Sequence, residues 1–207
     1  MKRLISFAAI LLGLCYSVAA QVDSSLEQLR LKMATNASII SYDYSLSLAG
    51  TKTTGSGVLT VQDKVYKMVG NGLRISCDGS SVCLVDEAAK EIFIESISQG
   101  DDAFLSNPVL LFANLNSVFS ISDPVKKGSE LVYNLTPKKT CGLDSGIITL
   151  NTTGAVPVFT SGSFKITDGG QLDVKIKSMT FVEKKPLTFY SVDLSGYDSS
   201  WMISDLR

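Results

Sequence analysis

Residues 40–48, ISYDYSLSL, alternate without a break: Ile40, Tyr42, Tyr44, Leu46 and Leu48 fall on one side, and Ser41, Asp43, Ser45 and Ser47 on the other. A helix cannot hold such a set on one face, because its period is 3.6. A strand, with a period of two, puts all the apolar side chains on a single surface. The alternation returns in QLDVKIKSM, where Leu172, Val174 and Ile176 oppose Asp173, Lys175 and Lys177. Strands of this kind require a sheet that is wet on one face and covers something apolar with the other.

The chain between them agrees. Short β-branched and aromatic runs, GVLTVQ, KVYKMV, ELVYNLTP, GIITLN and SFKIT, are separated by turn signals such as Asn71-Gly72, Asp78-Gly79 and Asp168-Gly169-Gly170. This is the spacing of antiparallel meanders. Two segments read instead as helices. One follows Ser24, which with Glu27 has the spacing of a capping box and sets Leu26, Leu29 and Met33 on one face. The other is SNPVLLFANL, where Asn107 caps, Pro108 fits the first helical position, and Leu111, Phe112 and Leu115 form a stripe. There is no internal repeat and no linker. The expectation is mainly β: one strongly curved antiparallel sheet with a helix before it and another inserted midway.

The first residues set the compartment. Lys2 and Arg3 precede an apolar run over residues 4–14, and small residues lead up to Gln21. This is the pattern of a secretory signal cleaved after Ala20. Acylation at Cys15 would want a small residue before it, and Leu14 stands there. The expected division is a signal peptide over residues 1–20 and one domain over residues 21–207, with no later apolar run near the ~18 residues of a spanning helix. Removing Lys2 and Arg3 from 19 basic residues leaves 17 against 20 acidic ones, a net charge of −3. Such a surface argues against nucleic acid and anionic membrane as electrostatic partners.

Histidine is absent, which removes the commonest general base and the commonest metal ligand. No G-x-S-x-G, phosphate-binding loop or dinucleotide fingerprint is present. Asp86-Glu87 and Asp101-Asp102 supply carboxylates, but each pair sits where acidic residues are common in turns and helix starts. The sequons at Asn36, Asn134 and Asn151 would matter in a eukaryotic secretory pathway, and in a bacterium such tripeptides are usually just turns. The expectations are no catalytic residue, no cofactor and no metal. Cys77 and Cys83 flank Asp78-Gly79 in ISCDGSSVCLVD. Their spacing is not that of a C-x-x-C redox pair, and three mature cysteines without histidine do not make a structural zinc site. A disulfide across the hairpin and buried free thiols both remain open, with Cys141 as a competing partner.

Taken in order, these pieces resemble the bacterial outer-membrane lipoprotein carriers, the LolA family, in its Bacteroidetes-type branch. The N-terminal amphipathic helix is followed by GSGVLTVQDKVYKM, which resembles the family's Gly-rich lead-in to two paired strands. SCDGSSVCLVD is similar to its D-G-[KT]-x-x-W-x-Y hairpin, and SNPVLLFANL to its T-P-x-x-L-L helix. YNLTPK matches an L-x-P run, and ISDLR resembles the terminus of the Bacteroidetes type. The resemblance implies a half-open antiparallel barrel around a hydrophobic cavity, covered by short helices.

The implied role is to shield the acyl chains of lipoproteins across the periplasm. The protein would work as a monomer, between an inner-membrane exporter and an outer-membrane acceptor. On this reading Tyr42, Tyr44, Leu46, Leu48, Leu172, Val174 and Ile176 line the cavity, while Leu110, Leu111, Phe112 and Leu115 cover its mouth. The sequence departs from the family's pattern at the hairpin, where Cys83 and Val85 replace aromatics. It departs again where the latching arginine of proteobacterial carriers falls on Asp63, with Lys64 the nearest basic residue. Carriage of another amphiphile such as a glycolipid, and a periplasmic lipid-sensing or protein-binding module, are the competing functions.

Overall fold

A computed structural model describes residues 24–97, 115–167 and 169–207. Helix α1 (Ser24–Thr35) buries Leu26 and Leu29, the stripe expected from its spacing. The Glu27 carboxylate takes two hydrogen bonds from Arg30 on the exposed side. The chain then turns into a meander: β1 (Ala37–Leu48), β2 (Thr51–Gln62), β3 (Val65–Gly70), β4 (Leu73–Cys77), β5 (Ser81–Asp86) and β6 (Glu91–Ser96). Ala49-Gly50 and Asn71-Gly72 have positive φ at both residues, the two-residue turn whose twist suits a tight hairpin.

A second meander follows a single helical turn, α2 (Leu115–Val118): β7 (Phe119–Ile121), β8 (Val125–Lys127), β9 (Glu130–Pro137), β10 (Leu143–Asn151), β11 (Val158–Ile166) and β12 (Gly170–Val182). The meanders join through an antiparallel β1–β12 pair, the two strands whose alternation dominates the sequence. The register sets Tyr42 against Ile176, Tyr44 against Val174 and Leu46 against Leu172. The apolar sets of both strands therefore share a face, which we call the inner face.

The result is one open sheet of 13 strands, in the order β13-β6-β5-β4-β3-β2-β1-β12-β11-β10-β9-β7, with β8 beside β9. Its last strand, β13 (Met202–Asp205), breaks the pattern by pairing parallel to β6. To reach that edge, the chain after β12 crosses the outer face as a strap with 3-10 turns at Leu187–Tyr190 and Leu194–Gly196. Val192, Leu194, Tyr197 and Trp201 of the strap pack on Cys83, Val85, Ile92 and Ile94. Gln62 fastens its start: Nε2 donates to the Lys185 carbonyl at 3.1 Å, and Oε1 accepts from the Lys185 amide at 2.7 Å.

Three bulges correct the faces. Register shifts at Ser41/Tyr42 against β12 and at Leu143/Ser145 and Thr149/Leu150 between β10 and β11 leave Lys177, Asp144 and Thr160 without an opposite residue. Each extra residue flips the strand beyond it. Met179 is thereby opposed to Ile40, and Phe159 is brought to the same side as Phe164.

Candidate functional site

The inner face encloses a cavity of about 280 Å³. Its floor is buried: Ile40, Leu59, Ile148, Phe159 and Phe164 are each at most 5% exposed, and Leu115 of α2 closes one side. Burial falls along β1 from Ala37 and Ser38, which are inaccessible, to Leu48 at the hairpin tip, 49% exposed. Among the described residues, the cavity is therefore shut at the α1 end and open towards the β1–β2 hairpin, and no charged side chain lines it.

Aromatic rings shape the space by lying over glycines. Gly57 is opposite Tyr42 and Gly55 opposite Tyr44. A Cβ on Gly57 would sit 2.7 Å from the Tyr42 hydroxyl, and one on Gly55 2.7 Å from the Tyr44 ring. The two tyrosine rings are tilted at 41° with centroids 6.4 Å apart. Tyr44 Oη accepts a hydrogen bond from Asn71 Nδ2 at 2.8 Å. Burial, and then the neighbouring Tyr44, push the Tyr42 hydroxyl above its ordinary pKa.

Of the residues expected to line a cavity, Tyr42, Tyr44, Leu172, Val174 and Ile176 do so, and Leu115, expected at the mouth, is also in the wall. Leu46 is half-buried but outside that wall, and Leu48 is exposed at the turn, because the cavity ends before the hairpin tip. Leu110, Leu111 and Phe112 lie outside the described residues. Sequence reading missed Leu59, Met68, Ile148, Phe159 and Phe164. The two phenylalanines are five positions apart, an odd spacing that alternation assigns to opposite faces and only the Thr160 bulge reconciles. Leu59 begins a row, Leu59-Met68-Ile75-Leu84-Phe93, that carries the apolar inner face on towards β6.

The hairpin cysteines form no disulfide. Register opposes Cys77 to Val82 and Cys83 to Ser76, so the two thiols leave opposite faces of the sheet. Cys77 joins the inner cluster with Tyr66, Cys83 lies beneath the strap, and Cys141 is buried with Leu143 and its neighbours; all three are free thiols. Asp78 makes the turn instead. One of its carboxylate oxygens accepts from the amides of Ser80 and Ser81 and from the Ser80 hydroxyl. Burial raises its pKa, but these bonds outweigh burial and hold it below the usual value. Asp63, at the position expected for a latching arginine, pairs with Lys184 of the strap at 2.7 Å.

Among the described residues, no group of three or more Cys, Asp or Glu is placed to hold a metal ion, and no helix is long and apolar enough to cross a membrane.

No protein-family model matches the chain, and no curated protein does. Solved structures do. An uncharacterized conserved protein of Thermus thermophilus superposes over 87% of this chain and 96% of its own, with a TM-score of 0.54 and 8% identity. A DUF1329 family protein of Desulfovibrio piger aligns over 80% of this chain and 95% of its own (TM-score 0.47, 12% identity). A LolA superfamily protein of Nitrosomonas europaea aligns over 81% and 98% (TM-score 0.43, 10% identity). At the first of these scores the chain shares the fold of its neighbour.

Proposed function

We propose that this protein is a carrier of the LolA type, which encloses acyl chains of lipoproteins and moves them through the periplasm after loss of residues 1–20. The observation that supports it is the cavity: a space of about 280 Å³ whose described lining is apolar and uncharged. A sandwich packed to ordinary density would leave no such space. A sheet that keeps such a space open is explained by something that enters it. The order of the sequence motifs supports the same reading, including its Bacteroidetes-type branch.

The chemistry asked of the site is burial and not bond-making. Each methylene taken from water contributes about 0.8 kcal/mol before the costs of association. An enclosed chain does not leave quickly unless a better acceptor takes it. Having no nucleotide-binding motif, the protein would be loaded by an inner-membrane exporter and emptied by an outer-membrane acceptor.

The test is native mass spectrometry, with lipid extraction, of the protein purified gently from the periplasm of a Gram-negative host. Co-purifying acyl lipid or acylated protein is expected, and Val174→Arg, which sets a charge in the wall, should remove it. A clean apo protein in stable complex with a non-acylated protein would identify an interaction module instead.

A further inference from the structure

We propose that the described cavity admits one acyl chain of roughly ten to twelve carbons, tail first, and that the hydroxyls of Tyr42 and Tyr44 read an uncharged hydrogen-bond acceptor, an ester or amide carbonyl, at its head. This rests on the carrier reading and narrows it.

The direction follows from burial. Ile40 is 1% exposed and Leu59 4%, and they mark the closed end. Tyr42, Tyr44, Leu172 and Val174 are half-buried and stand nearer the open one. A tail therefore reaches the floor only if the head remains beside the tyrosines. The capacity follows from volume. A cavity of about 150 Å³ holds one benzene, so 280 Å³ holds about twice as many carbons, which is one chain and not three.

The head is specified by what the wall offers. Tyr44 Oη accepts from Asn71 Nδ2, and Asn71 Oδ1 accepts from the Ser56 amide, which fixes the amide's orientation and leaves the Tyr44 proton to donate. Among the described residues, the Tyr42 hydroxyl has no hydrogen-bond partner. Two O–H donors on neighbouring rings, in a wall whose described residues carry no charge, suit a carbonyl oxygen. They do not suit a carboxylate, whose desolvation nothing here would compensate, or a cation, which cannot accept. Asp43, Asp173 and Lys175 alternate with the lining residues and so face the other side of the sheet.

The experiment is calorimetric titration of the full chain with glycerol monoesters of hexanoic, decanoic and stearic acids, and with decanoate and decyltrimethylammonium. Affinity is expected to rise from the hexanoyl to the decanoyl ester and no further. Tyr42→Phe and Tyr44→Phe, which keep the rings over Gly57 and Gly55, should each weaken the decanoyl ester about fivefold, the effect of one neutral hydrogen bond. Decyltrimethylammonium should bind more weakly and be indifferent to both substitutions. Unchanged ester affinity in the double variant, tighter binding of either charged probe, or a continued rise to the stearoyl ester would overturn this inference while leaving a carrier. Failure of every probe to bind, with circular dichroism showing a folded sheet, would overturn the carrier reading together with it.

Discussion

Gly162 has no side chain, and the ring of Phe164 occupies the space one would take. A Cβ there would lie 2.7 Å from Phe164 Cε2, and one on Gly146, across the strand pair, 2.8 Å from Cδ1 of the same ring. Phe164 is 4% exposed, so the ring cannot swing to solvent and must move into the cavity it borders. Gly162→Ala is therefore expected to destabilise the fold by about 1–3 kcal/mol, the usual effect of overpacking, and to weaken acyl-probe binding as the space shrinks. Urea denaturation and probe titration check the two effects; a stable variant with full binding would mean that the ring has another place to go. Tyr42, Tyr44, Val174 and Ile176 are legible in the sequence because each lies on an uninterrupted alternation. Whether Cys77 meets Cys83 is not, because a shift of hairpin register by one position moves a side chain to the other face, and nothing in ISCDGSSVCLVD specifies that position.

The strap is an element with almost no regular structure of its own, held by a few side chains at defined places. Gln62 is 5% exposed and exchanges hydrogen bonds with both backbone groups of Lys185, while the buried Tyr190 hydroxyl donates to the same Oε1 at 3.4 Å. Further along, Arg74 donates to Tyr197 Oη at 2.7 Å, and Trp201 meets the Tyr197 ring edge-on at 4.7 Å. Gln62→Ala would leave the Lys185 amide and the Tyr190 hydroxyl without partners. A loss of about 2–3 kcal/mol is expected, with new protease cleavage within residues 183–201 ahead of any cut in β1 or β12. Cleavage elsewhere first would show that the strap is held by its apolar contacts alone. The Asp63–Lys184 pair is exposed on both sides and contributes little beside this. Sequence reading recognised ISDLR only as a terminal motif. A parallel edge strand reached by a crossing of irregular chain has no periodic signal, whereas the meanders on either side of the β1–β12 seam announced themselves by turn residues and alternation.

At the scale of the molecule, the absence of histidine determines how stability depends on pH. No side chain titrates between the carboxylates and the thiols, so stability should be flat from about pH 5 to about pH 8. The alkaline side differs. Burial raises the pKa of Cys77 and Cys83, and burial also raises Tyr42, Tyr66 and Tyr190, Tyr66 most of all. Each of these groups is harder to ionise folded than unfolded. Its contribution is complete below the unfolded pKa, about 8.5 for a thiol and about 10 for a phenol, and is lost as pH rises from there through the folded value. Asp78 works in the opposite sense: its lowered pKa gives stability above about pH 4 that is lost as pH falls through the folded value. Glu27, Asp193, Asp198 and Asp205 are also lowered but lie at the surface, so solvent screening leaves them minor. Tyr66, 1% exposed in the inner cluster, ionises readily only once that cluster has opened to water. The expected curve of urea midpoint against pH is a plateau ending in a steep alkaline fall, with phenolate absorbance from Tyr66 appearing in step with the loss of sheet and not before it. Tyr66→Phe assigns that absorbance by difference. Phenolate formation at Tyr66 in a still-folded protein, or a fall in stability near pH 7, would show that the inner cluster reaches water without unfolding.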